Sequence, residues 1–131
     1  MEREATQLLR VAEDHDRAGR ETEAVLSYER AIDLGLPISE LAGALHGLGS
    51  TYRALGRYDD ALRIWHDAML RFPRDASFGP FLAMTLYNLG RPKEALALLL
   101  EILVATTECD DIKQYARAIR LYASDLDRRS T

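Results

Sequence analysis

Three histidines and one cysteine are the side chains of this chain that could bind a metal or act as nucleophiles. A zinc site on a helix needs two ligands about one turn apart. His15, His46 and His66 are far from one another in the sequence, and no carboxylate joins them at ligand spacing. Cys109 stands in Glu-Cys-Asp-Asp, where the acidic neighbours disfavour a thiolate. The sequence therefore predicts no metal site, no cofactor and no reactive thiol.

Sequence motifs of catalysis do not accompany these residues. There is no glycine-rich phosphate loop, no Ser-His-Asp set and no pair of carboxylates at a spacing that indicates a cleft. We therefore predict that the chain is not an enzyme and has no catalytic residues.

Composition and charge narrow the class of partner. The chain has 131 residues, 47% of them hydrophobic and 29% charged, which fits one globular domain over residues 1–131. A net charge of −4 gives no general attraction to nucleic acid or to an anionic membrane. Arg117, Arg120, Arg128 and Arg129 form a local basic end, so nucleic-acid binding is a poorly supported alternative.

Location is predicted from three further features. The N-terminus begins with acidic residues and lacks the basic start and apolar run of a signal peptide. The longest apolar run, residues 95–100, is too short to span a bilayer. A single cysteine forms no internal disulfide and is typical of a reducing compartment. We expect a cytoplasmic protein.

A short string that occurs three times indicates how the chain is built. GRETEA, GRYDDA and GRPKEA begin at Gly19, Gly56 and Gly90, which are 37 and 34 residues apart. A period near 34 is the length of one helix–turn–helix repeat. Each glycine is expected at a left-handed helix end, where the absence of a Cβ removes the steric cost.

The residues around these strings resemble the tetratricopeptide repeat family. In the middle copy the matching positions are Leu48, Gly49, Tyr52, Gly56, Tyr58, Ala61, Trp65, Ala68 and Pro73. The resemblance implies an all-α superhelix, or solenoid, of three helix–turn–helix repeats at about 5–41, 42–75 and 76–109. More narrowly, the chain resembles short stand-alone bacterial members of this family.

The periodicity predicts helices over about 3–18, 21–34, 39–55, 58–71, 75–89 and 92–106. Gly79 and Pro80 lie in the first turn of the fifth helix, which is expected to start late or to kink. Apolar residues spaced by three and four predict one further amphipathic helix over 110–127. We interpret it as a helix that caps the last repeat, and a truncated fourth repeat is the alternative.

The resemblance also implies a function and a site. In this family the first helix of each repeat lines a concave face that takes an extended peptide or a partner helix, so the chain is expected to be a non-catalytic scaffold for an unidentified protein or peptide. In the middle of that face, Gly43 and Gly47 are expected to leave a bare strip of backbone. The candidate groove residues are Glu13, Arg17, His46, Ser50, Arg53, Phe81, Met84, Tyr87 and Asn88.

Several alternatives remain open at this level. One subgroup of the family grips a terminal carboxylate with Lys, Asn and Arg, but the matching positions here are Leu9, Glu13, Gly47, Ser77 and Phe81. The last helix could itself fill the groove by packing on Phe81 and Tyr87. A structural role in homo-oligomerisation, through repeat edges or the C-terminal helix, is the second reading of the function.

Overall fold

A computed structural model describes residues 2–129 as an all-helical chain, which confirms the predicted fold class. Between these residues there are eight helices and no strand. In chain order they are α1 (Glu2–Arg17), α2 (Glu21–Leu34), α3 (Ile38–Ala54), α4 (Tyr58–Arg71), α5 (Phe78–Asn88), α6 (Pro92–Thr106), α7 (Asp110–Lys113) and α8 (Ala116–Ala123).

The helices group into two compact units. The first, Met1–Pro73, contains α1 to α4, and the second, Arg74–Thr131, contains α5 to α8. In the first unit α1 packs on α2, α2 on α3, and α3 on α4; in the second, α5 and α8 both pack on α6. The single domain expected over residues 1–131 stays a prediction, and residues 1, 130 and 131 lie outside the described part of the chain.

The three recurring strings form the same turn. Gly19, Gly56 and Gly90 have φ of 75°, 74° and 76°, so each glycine is left-handed as predicted. The next residue is an arginine whose backbone N–H donates to a carbonyl five residues earlier, for example from Arg57 to Tyr52 at 2.8 Å. Such a bond satisfies a carbonyl that the end of a helix leaves without an intrahelical donor. The turn therefore places each helix antiparallel to the one before it.

Small residues at the helix crossings allow large residues to fill the core. Ala12, Ala24 and Ala61 are fully buried, as is the indole of Trp65. A Cβ on Gly49 would lie only 2.5 Å from Trp65 Cη2, so no larger residue fits at position 49 without movement of the indole.

The fifth helix begins three residues later than the expected Asp75. The side chain of Asp75 instead accepts a hydrogen bond from the Ser77 backbone N–H at 2.9 Å and closes a local turn. Such a turn competes with helix formation. Pro80 then falls in the first helical turn of α5, where its missing N–H breaks no hydrogen bond.

The prediction of one continuous helix over 110–127 is wrong. The chain forms α7 and α8 with a break at Gln114 and Tyr115, and α8 ends at Ala123. Tyr115 has φ −103° and ψ 10°, outside the helical region, and its N–H donates to Ile112 three residues earlier. The spacing of apolar residues did not reveal the break because Ile112, Ile119 and Ala123 remain less exposed than their neighbours on either side of it.

Candidate functional site

The histidines and the cysteine do not come together. Within residues 2–129 no group of three or more His, Cys, Asp or Glu side chains could hold a metal ion. His15 accepts a hydrogen bond from Arg20 Nε at 2.9 Å, and the ring of His46 packs on Trp65 with ring centroids 5.8 Å apart. His66 and Cys109 are exposed. These side chains have packing or surface roles in the described structure.

The predicted groove residues of the first unit take part in local contacts. Glu13 accepts a hydrogen bond from Arg10 Nη1 at 2.7 Å, and Arg17 forms an ion pair with Asp14 on its own helix. Ser50 is exposed and Arg53 is half-buried on α3.

The expected bare strip on α3 is wrong at one of its two glycines. A Cβ on Gly43 would meet nothing within 4 Å, but one on Gly47 would lie 2.4 Å from Tyr28 Cζ. The Tyr28 hydroxyl donates to Asp16 Oδ2 at 2.9 Å, which holds the ring in place. Burial, and then the hydrogen bond to this carboxylate, raise the pKa of Tyr28 well above its usual value. Gly47 therefore makes room for a tyrosine of the same unit.

A second tyrosine joins the same helices. Tyr52 of α3 donates a hydrogen bond to Glu29 of α2, and the guanidinium of Arg57 lies 4.6 Å from the centre of its ring. Burial, followed by the hydrogen bond to Glu29, raises the pKa of Tyr52 as well. Both tyrosines thus link α3 to the repeat that precedes it.

Comparison with known proteins agrees with the recurring turn and helix pairs. Residues 5–126 match a family model described as tetratrico peptide repeat. The chain belongs to the tetratricopeptide repeat family. Its repeats are the pairs α1/α2, α3/α4 and α5/α6. A comparison with curated proteins found no match.

Tetratricopeptide repeats mediate protein–protein interactions, and non-catalytic scaffolding is their general role. None of the described helices is long and apolar enough to cross a membrane. The binding surface must therefore be sought on the faces that the repeats leave uncovered.

In the first unit, the α1/α2 repeat binds a further helix, α3, on one side. Glu40 of α3 accepts hydrogen bonds from Thr6 and Arg10 of α1 at 2.6 and 2.8 Å. On α2, Ile32 lines a hollow of about 370 Å³ together with Leu45 and Leu48 of α3. The surface that receives α3 thus combines one face of α1 with one face of α2.

The corresponding surface of the α5/α6 repeat is apolar and uncovered. Gly19 and Gly90 are 71 residues apart, and the same offset relates the surface of α1/α2 to that of α5/α6. Glu13 and Asp16 of α1 become Met84 and Tyr87, and the α2 positions Val25, Tyr28 and Ile32 become Leu96, Leu99 and Leu103. We call these five residues, Met84, Tyr87, Leu96, Leu99 and Leu103, the α5/α6 surface.

Exposure separates the two repeats sharply. Val25 and Tyr28 are 2% and 3% exposed beneath α3, whereas Leu96 and Leu99 are 48% and 41% exposed. Tyr87 on α5 is 68% exposed. Met84 and Leu103 are also exposed, at 38% and 41%. Clustered apolar side chains at this level of exposure mark interaction surfaces.

The C-terminal helix packs on a different face of α6. Arg120 Nε of α8 donates to Glu101 at 2.9 Å, and Asp127, just beyond α8, pairs with Lys93. Ala97 lines the hollow between the two helices. Because consecutive helical residues lie about 100° apart, this face is distinct from that of Leu96, Leu99 and Leu103. The alternative in which the last helix fills the site by covering Tyr87 does not match the exposure of that side chain.

The α5/α6 surface contains two of the predicted groove residues, Met84 and Tyr87. Phe81 and Asn88 lie on the same helix and are half-buried. Sequence reasoning missed Leu96, Leu99 and Leu103, although their spacing of three and four places them on one helical face. They were missed because nothing in the spacing alone says on which face of α6 the last helix packs.

Proposed function

We propose that this chain is a non-catalytic scaffold that binds a helical segment of a protein on the α5/α6 surface. The observation that carries the proposal is the exposure of five apolar or aromatic side chains at positions whose equivalents in the first unit receive α3. Burial of apolar area would supply the binding free energy, at roughly 25 cal/mol per Å².

The geometry favours a helix over an extended peptide. In the first unit the equivalent surface receives Leu45 and Leu48 of α3, which lie one turn apart on one helical face. A bound segment with apolar residues at the same spacing would fit the α5/α6 surface in the manner of a helix in a groove. Phe81 and Asn88 border this surface on α5 and are proposed as contacts at its margin.

The predicted groove residues of α1 and α3 belong to a separate proposal. Glu13, Arg17, His46, Ser50 and Arg53 are proposed as polar contacts of a bound segment in the first unit. The acidic and basic side chains among them would add selectivity and speed of association more than affinity. Charge reversal at Arg53, measured with the same binding assay as below, tests this set independently of the α5/α6 surface.

A labelled synthetic peptide with the sequence of residues 38–54 tests the helix-binding proposal. It carries the apolar face of α3, and fluorescence anisotropy reports its binding to the full chain. We expect saturable binding that weakens at least about tenfold in Leu99→Glu and in Met84→Glu, since each change places a charge on an apolar contact.

The matched control is Leu70→Glu, which makes the same change at a leucine of α4 that is 82% exposed. It should bind the peptide like the natural chain. Equal affinity for the natural chain, Leu99→Glu and Met84→Glu would refute the α5/α6 surface as the binding site.

A further inference from the structure

We infer that the helix bound at the α5/α6 surface is α1 of a second copy of this chain, so that copies associate head to tail. The inference rests on the proposed function and adds the identity of the partner. It follows from the residues that α1 presents on its outer side.

Helix α1 carries the same apolar face that α3 uses. Leu8 and Val11 precede Leu45 and Leu48 by 37 residues, the distance between the first two glycine turns. On α3 these leucines are 1% and 2% exposed because they pack against the preceding repeat. On α1 no repeat precedes them in the described chain, and Val11 is 43% exposed.

The exposed side of α1 has the shape of a receiving edge. Leu8, Val11 and Leu34 line a hollow of about 280 Å³ at the junction of α1 and α2. Its other lining residues, Glu4, Gln7 and Arg30, are polar and form a rim. An apolar centre with a polar rim is the usual composition of a protein interface.

The two surfaces are the two halves of one repeat-to-repeat contact. In the first unit Ile32 lies in the same hollow as Leu45 and Leu48. By the repeat offsets, Leu103 of one copy would meet Leu8 and Val11 of the next. The chain therefore carries an exposed α3-like face on α1 and an exposed α2-like face on α6, and each is complementary to the other.

Such a contact uses different surfaces on the two partners. It is heterologous, and each added copy leaves one free surface of each kind, so association does not stop at a dimer unless one surface is blocked. A symmetric dimer through the C-terminal helix would instead pair identical surfaces.

Two variants distinguish these arrangements. Val11→Glu removes the α1 half and Leu103→Glu removes the α5/α6 half, and sedimentation velocity measures the mass of each. The natural chain should gain mass steadily with concentration, whereas each variant alone should associate at least about tenfold more weakly.

An equimolar mixture of the two variants provides the decisive observation. The intact α5/α6 surface of Val11→Glu can bind the intact α1 of Leu103→Glu, so the mixture should form a one-to-one dimer and nothing larger. Leu26→Glu, an equally drastic change at an exposed position of α2, should associate like the natural chain. The milder pair Val11→Gln and Leu103→Gln repeats the test if circular dichroism shows that a glutamate variant is unfolded.

The inference is overturned if the natural chain remains a monomer as its concentration approaches millimolar, or if the mixture of variants does not form the dimer. The peptide assay separates this failure from failure of the proposed function. Binding of the residue 38–54 peptide should be lost in Leu103→Glu and retained in Val11→Glu, whether or not two copies of the chain associate.

Discussion

The ring of Tyr28 lies so close to Gly47 that a Cβ on residue 47 would be 2.4 Å from its Cζ atom. Tyr28 reaches this position from α2 and donates its hydroxyl hydrogen bond to Asp16 of α1. One residue pair therefore joins three helices of the first unit. At the equivalent place in the α5/α6 repeat stand Leu99 and Tyr87, both exposed. That contrast motivates the proposed binding surface.

Gly47→Ala should destabilise the chain by about 1–3 kcal/mol, because the new methyl group overlaps a buried ring that a hydrogen bond holds in place. Gly43→Ala on the same helix is the control. Its Cβ meets nothing within 4 Å, so alanine should stabilise α3 by about 0.5–1 kcal/mol. Urea denaturation measures both free energies of unfolding. If Gly47→Ala were as stabilising as Gly43→Ala, the packing of Tyr28 against α3 would be wrong.

Stability should fall as the pH rises above about 10. The pKa values of Tyr28 and Tyr52 are raised in the folded chain, chiefly by burial, whereas an unfolded tyrosine ionises near pH 10. The stabilisation is complete below that pH and is lost above it, by at most about 1.4 kcal/mol per pH unit for each tyrosine. Tyr28→Phe should flatten the decline between about pH 10 and 12. Tyr122→Phe changes an exposed tyrosine and should leave the slope unchanged.

Two residues at equivalent repeat positions should differ greatly in their contribution to stability. Trp65 is fully buried, so Trp65→Ala should cost about 3–5 kcal/mol. Leu99 occupies the same position in the next repeat but is 41% exposed, and Leu99→Ala should cost less than about 1 kcal/mol. Thermal and urea denaturation provide both values. A large cost for Leu99→Ala would mean that a helix already covers this side chain in the free protein.

Much of the fold could be predicted from local patterns. Glycines at the turns and small residues at the crossings set α2, α4 and α6 at the expected bounds, because these features depend on neighbouring residues. The break at Tyr115 and the late start at Phe78 depend on local backbone geometry that apolar spacing does not report.

The candidate site was harder to predict. Met84 and Tyr87 were found from their positions on a first helix, but Leu99 was expected to be buried between successive helices. Its exposure depends on where α8 packs, and the contact of Arg120 with Glu101 places α8 on another face of α6. That is a tertiary choice between two apolar faces of one helix, and the sequence pattern is compatible with both.

Titration of the isotope-labelled chain with the residue 38–54 peptide, followed by two-dimensional NMR, tests the central claim most directly. The account predicts that amide and methyl signals of the α5/α6 surface shift: Met84, Tyr87, Leu96, Leu99 and Leu103. Signals of Leu26 and Leu70, which are exposed leucines on other helices, should stay in place. Shifts confined to residues of α1 and α3, or no shifts at saturating peptide, would contradict the account.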